Sequence, residues 1–98
     1  MKCNAYENFF ENFSNKTRIK IIETLLKKPK SVTEICKDIN EEQSKVSHNL
    51  KKLAECNFVD AKQEGKKRIY SLNKDTLLPI LAMVSKHVHK YCKEVCKK

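Results

Sequence analysis

Hydrophobic positions recur along much of this chain at helical spacing, and the places where that period stops mark out its elements. Tyr6, Phe9, Phe10 and Phe13 fall at helical spacing and place an aromatic stripe on a short opening helix. Over residues 16–28, Ile19, Ile22, Leu25 and Leu26 repeat at the same period, which predicts a second helix turning those four side chains to the core. Pro29 ends it, and Lys27 and Lys28 suit its C-terminal end. Ser31-Val32-Thr33-Glu34 has the form of a capping box and predicts a short third helix to about Ile39. Asn40-Glu41-Glu42-Gln43 gives a second start signal, with acidic residues in the first turn of a fourth helix running to about Glu55. On that helix Val46, Leu50 and Leu53 share one face. The helical period then stops: residues 58–63 and 68–72 are rich in β-branched and aromatic types, predicting two strands. Asp75 predicts the cap of a last helix that tolerates Pro79 in its first turn. Leu77, Leu81, Val84, Val88, Tyr91 and Val95 would form one apolar stripe along it.

The predicted fold is mainly α with a small β-hairpin (α+β), in the order α-α-α-α-β-β-α, as one domain over residues 1–98. The chain's 98 residues contain one glycine and two prolines, too little turn material for an all-β sandwich or barrel. The glycine, Gly65, sits in Glu64-Gly65-Lys66-Lys67, where a hairpin needs a permissive backbone. A long apolar last helix and four aromatics on a short first one exceed what so small a core can cover. They point to a homodimer built through both terminal helices. No apolar run approaches the roughly 20 residues of a membrane span, and no signal-peptide pattern opens the chain, so a cytoplasmic protein with no membrane partner is expected.

Charge sharpens the picture. Lys and Arg exceed Asp and Glu by nine, and the excess is spread over the chain rather than held in a tail, which points to a polyanion. The third and fourth helices, each with its own start signal and almost no loop between them, form a helix-turn-helix pattern. From Gln43 to Leu53 there are three lysines and no acid. The polar face offers Gln43, Ser44, Ser47 and His48 near the helix start and Lys51 and Lys52 further along, as a helix needs in order to read base edges and hold phosphates. Lys66, Lys67 and Arg68 would arm the hairpin tip directly after it as a basic wing; the alternative is an edge hairpin kept soluble by its lysines.

This order of elements resembles that of the ArsR/SmtB-type winged-helix repressors. Thr17-Arg18-Ile19-Lys20-Ile21-Ile22 is similar to the family's T-R-x-x-I-L element. The stretch from Gln43 to Leu53 resembles its recognition helix, Q-S-x-V-S-H-H-L-x-x-L, and Glu64 to Leu72 its wing, E-G-R-x-x-x-Y-x-L. The resemblance implies a homodimeric repressor on double-stranded operator DNA, released by a metal ion or another inducer. Gln43, Ser44, Ser47 and His48 become candidate major-groove contacts, and Lys51, Lys66, Lys67 and Arg68 phosphate or wing contacts. Asn49 stands where the family has a second histidine, a change expected to alter specificity.

The family's sensing motifs are incomplete here. Ser31-Val32-Thr33 replaces a C-V-C element, Asp75-Thr76-Leu77 lacks the histidine of D-x-H, and Lys52 and Cys56 stand where another arrangement has two cysteines. Three soft ligands remain on one edge of the last helix: His89, Cys92 and Cys96, the candidates for a zinc-like metal or a redox response. The alternative is two small apolar thiols at a helix–helix contact with a histidine at the solvent edge, and Cys36 and Cys56 are expected in the core. No nucleophile–base–acid constellation or phosphate loop suggests an enzyme. Two other readings fit the same residues: a constitutive repressor without an effector, and a winged helix that binds an acidic protein partner.

Overall fold

The computed structural model describes residues 3–92. Its elements run α1 (Cys3–Ser14), α2 (Lys16–Lys27), β1 (Lys30–Ser31), α3 (Val32–Ile39), α4 (Gln43–Glu55), β2 (Val59–Glu64), β3 (Lys67–Leu72) and α5 (Leu77–His87). A π-helical turn, Val88–Cys92, continues α5. Mainly helical architecture with one hairpin agrees with the sequence, apart from one strand that the pattern did not announce. β1 lies on the free side of β3, giving an antiparallel sheet of order β1-β3-β2 with Lys30 opposite Tyr70 and Ser31 opposite Ile69. Two residues, one of them a lysine, carry no alternation from which a strand could be read.

Local chemistry sets the ends of the helices. Asn15 caps α2, its Oδ1 accepting from the Arg18 amide at 3.0 Å. The Ser31 capping box forms as expected: the Glu34 amide donates to Ser31 Oγ, and the Ser31 amide donates to Glu34 Oε1. These bonds hold the Glu34 carboxyl below its ordinary range, the Ser31 backbone amide being the main cause. The second start signal falls differently. Asn40 does not open α4; it closes α3 in the left-handed conformation (φ 57°), and Glu42 precedes α4 without a side-chain cap. Asparagine tolerates that conformation, which is why one residue can carry either signal. Asn57 repeats the device after α4 (φ 58°): its amide donates to the Ala54 carbonyl and that of Phe58 to the Leu53 carbonyl, a Schellman closure. Asp75 likewise yields to Asn73, whose Oδ1 accepts from the amides of Asp75 and Thr76 ahead of α5.

The core gathers Ile21, Ile22 and Leu25 of α2, Ile35 of α3, and Val46, Leu50 and Leu53 of α4, closed by Phe58, Val59, Leu72 and Leu77. Phe9 and Phe13 pack edge-on and tilted against Phe58, with ring centroids 5.3 Å apart in each pair, and so tie α1 to the start of the hairpin. Cys36 and Cys56 lie half-buried against this core. Two residues expected in it are not there. Ile19 and Leu26 are exposed, because the buried arc of α2 is rotated towards Thr17, Arg18, Ile21 and Thr24, and the polar side chains of Arg18 and Thr24 find hydrogen-bond partners inside. Along α5 only Leu77 is fully buried; Leu81 and Val88 are half-covered, while Met83, Val84 and Tyr91 face outward. Val95 and Cys96 lie outside the described residues.

Candidate nucleic-acid interface

The helix pair α3–α4 and the hairpin β2–β3 bring the candidate residues to the surface. Val46, Leu50 and Leu53 turn one face of α4 inward, and the other is left open: Gln43, Ser44, Ser47, His48 and Lys51 are all exposed. The hairpin turns tightly at Gly65-Lys66, with Glu64 opposite Lys67. Gly65 has φ +63°, and Lys66 is not in the positive region, the pattern of a type II′ turn whose first central position favours glycine. Lys66, Lys67 and Arg68 stand exposed around that tip.

Ion pairing separates the cations. Lys45 meets Glu41 at 3.5 Å and Lys52 meets Glu55 at 3.9 Å, each within its own helix or at its start. Among the described residues Lys51, Lys66, Lys67 and Arg68 have no carboxylate within ion-pair distance. The charges left for a polyanion on α4 and the hairpin therefore include these four, together with the exposed Lys62 of β2, which is likewise in no ion pair among the described residues. An exposed helix with small polar side chains at its N-terminal end, uncompensated cations beyond them and a basic hairpin beside it can dock in a groove and grip the flanking backbone.

Two polar networks behind this surface were not foreseen. Lys30, buried on β1, donates through Nζ to the Asp38 carboxylate of α3 and to Thr24 Oγ1 of α2. The bonds from Lys30 and Thr24 hold the Asp38 carboxyl below its ordinary range. The network anchors the sheet to the helix-turn-helix. In the second, Arg18 of α2 donates to Asn49 of α4 at 2.8 Å and to Asn12 of α1 at 3.1 Å. Asn49 thus points inward, away from the exposed face. Its signal in the sequence was only a polar residue at a position that helical phase assigns to the core side.

The soft-ligand candidates sit elsewhere. His89 and Cys92 lie on the π-helical turn, whose wider winding changes their relative phase from that of an α-helix. The exposed His89 ring places Nδ1 2.8 Å from the Ser85 carbonyl, Cys92 is half-buried, and Cys96 is outside the described residues. Among the described residues no three His, Cys, Asp or Glu side chains gather as a metal site, and no helix is long and apolar enough to cross a membrane.

Comparison with known proteins bears on the family and the fold. A sequence model of bacterial regulatory proteins of the arsR family matches residues 15–61, from the start of α2 into β2. An uncharacterized HTH-type transcriptional regulator of Methanocaldococcus jannaschii is 40% identical over 63 residues, which are 64% of this chain but only 16% of that protein. The uncharacterized HTH-type transcriptional regulator Rv0081 of Mycobacterium tuberculosis is 32% identical over 79 residues, covering 80% of this chain and 69% of the relative. Its crystal structure superimposes with a TM-score of 0.82 at 28% identity, over 91% of this chain and 90% of that one. The solution structure of a homodimeric winged helix-turn-helix DNA-binding domain from Mycobacterium bovis shares the fold, with a TM-score of 0.84 at 19% identity over 93% of this chain and 84% of that one.

Proposed function

The chain belongs to the arsR family of bacterial regulatory proteins, and from that premise we propose that it binds double-stranded operator DNA as a homodimer and represses transcription. The observation that carries this proposal is the open face of α4, with Gln43, Ser44, Ser47 and His48 ahead of an unpaired Lys51 and next to an unpaired basic wing. α4 would enter the major groove, the serine, glutamine and imidazole groups meeting base edges and Lys51 the phosphates. The wing cations would hold the adjoining backbone. A regulator of this kind acts in the cytoplasm and does no chemistry of its own.

A dimer supplies the second half-site, about one helical turn of DNA away. The surface to build it is present. Between α1, α2 and α5 lies an apolar groove of about 440 Å³, in which Phe10, Ile19, Leu26 and Val84 stay exposed in the single chain. Exposed large apolar side chains collected in one place mark an interaction face, and a second copy laying its own terminal helices there accounts for Ile19 and Leu26 lying outside the monomer's core. The homodimeric M. bovis domain with the same fold supports this assignment.

Selection of bound sequences from a random duplex pool tests the proposal. Ser47→Ala/His48→Ala should then weaken binding to the selected duplex by about 1–3 kcal/mol per lost base contact, and leave binding to unrelated duplex nearly unchanged. Equal losses on both duplexes would show that these residues do not read sequence.

A further inference from the structure

We propose that Asn12 and Arg18 are positioning residues for DNA recognition: through Asn49 they set the roll of α4, and so the aim of the side chains on its open face. The proposal rests on α4 being the reading helix. Arg18 lies between three helices with only 8% of its surface exposed; Asn12 is 1% and Asn49 5% exposed. Its Nε donates to Asn49 Oδ1 at 2.8 Å and its Nη1 to Asn12 Oδ1 at 3.1 Å, with the exposed Glu11 carboxylate 3.6 Å away at the rim. Both amides are also held from behind. Asn49 Nδ2 donates to the Lys45 carbonyl at 2.9 Å, and Asn12 Nδ2 to the Asn8 carbonyl at 3.2 Å. Each oxygen is thereby turned to the guanidinium, and an unbroken line of hydrogen bonds runs from the α1 backbone to the α4 backbone.

Apolar residues of similar volume could fill this junction without loss of stability, because burying a charge costs much of what its bonds return. What apolar packing does not supply is direction. Val46, Leu50 and Leu53 hold α4 against the core, but contacts of that kind yield to a small rotation, whereas a satisfied buried polar network specifies one arrangement. At 100° per residue Ser44, Ser47 and Lys51 lie roughly 140–160° around α4 from Asn49, on the far side of the helix from the clamp. A roll of about 20° would carry an atom at a radius of about 5 Å through nearly 2 Å, enough to break a base contact. Asn49 therefore bears on specificity from inside the fold.

The test compares wild type, Asn12→Leu and Asn12→Asp on a selected duplex and a scrambled duplex, well below each protein's unfolding midpoint. Leucine matches asparagine in size and removes the acceptor; aspartate keeps the acceptor facing Arg18. Asn12→Leu should lose about tenfold in its preference for the selected duplex, the equivalent of one misplaced base contact, while its affinity for scrambled duplex is unchanged. Asn12→Asp should keep the preference. Loss of thermal stability without loss of preference in Asn12→Leu would reduce the clamp to packing, and equal loss in Asn12→Asp would show that the acceptor is not what aims the helix; either result overturns the proposal. Should Asn12→Leu not fold, hydrogen exchange of the Arg18 Nε–H in wild type decides: the proposal requires strong protection both free and on DNA, and exchange at the solvent rate overturns it. A wild type without preference for any duplex would instead refute DNA reading by α4 itself.

Discussion

Lys66 offers the sharpest test of whether the hairpin is a wing on DNA or a solubilised sheet edge. It sits at the turn with no residue opposite it on the other strand, and among the described residues no acid lies within ion-pair distance. If each protomer places Lys66 on one phosphate, a dimer makes two such contacts. Each contact contributes about 0.9 to the slope of log affinity against log salt, so Lys66→Ala should flatten that slope by about 1.8 and Lys66→Ala/Lys67→Ala by about 3.6. Between about 50 and about 200 mM salt, wild type should then lose about twelvefold more affinity than the single variant and about 150-fold more than the double. Glu64, directly opposite Lys67, should pull the double variant below that figure. Fluorescence anisotropy on one labelled duplex across five salt concentrations measures the slopes, and the loss should be the same for selected and scrambled sequences. An unchanged slope in Lys66→Ala would take the hairpin off the DNA. The lysines would then guard the open edge of β2, one of the two edge strands of the sheet, and the double variant should aggregate instead.

Val84→Glu puts a carboxylate into the apolar groove and should yield monomers at micromolar concentration with weak operator binding, which sedimentation velocity detects; a dimer of wild-type strength would place the interface elsewhere. Asp38 and Glu34 titrate below the ordinary carboxylate range, so their stabilising bonds are complete above the unfolded-state value and are lost as pH falls through the lowered folded value. Urea midpoints should therefore drop on that acid limb, and Asp38→Asn should make the limb shallower; parallel curves would deny the Lys30–Asp38 bond a part in acid stability. Gly65→Ala meets open space but keeps φ +63°, so it should cost about 1–2 kcal/mol by thermal melting, and Gly65→Asn less. Equal stability of Gly65→Ala and wild type would mean that the turn relaxes.

Periodicity revealed most of this fold because most of its elements bury one face. The inward line of α4, the Ser31 capping box and the Gly65 turn were all legible, since each depends on residues a few positions apart. What was hidden depends on partners far along the chain. β1 exists because β3 offers it a free edge; Lys30 is buried because Asp38 and Thr24 wait for it; Arg18 is buried because Asn49, 31 residues on, completes its bonds. Ile19 and Leu26 misled for the opposite reason. Their apolar signal is real, but it belongs to a groove on the surface rather than to the core, and spacing alone does not distinguish the two. The open face of α4 was visible as an acid-free stretch, while the clamp behind it showed only as Asn49 standing where the family has a second histidine.

Two variables would bring a pair of recognition helices onto DNA: the distance between them and the roll of each. In the proposed dimer, distance would belong to the terminal helices, where α5 buries only Leu77 fully within its own chain and α1 shows Phe10 at 59% exposure. Roll belongs to the Arg18 junction, which is closed within one chain and needs no partner. α1 contributes to both, through Phe10 towards the groove and Asn12 towards the guanidinium, two residues apart on one helix. A change at the dimer face should weaken all duplexes whose binding needs two half-sites together, whereas a change at the clamp should leave total affinity high and blur which sequence is preferred. Because α1 is joined to α4 by hydrogen bonds rather than by apolar contact alone, a displacement of α1 at the interface would reach the reading face as a rotation.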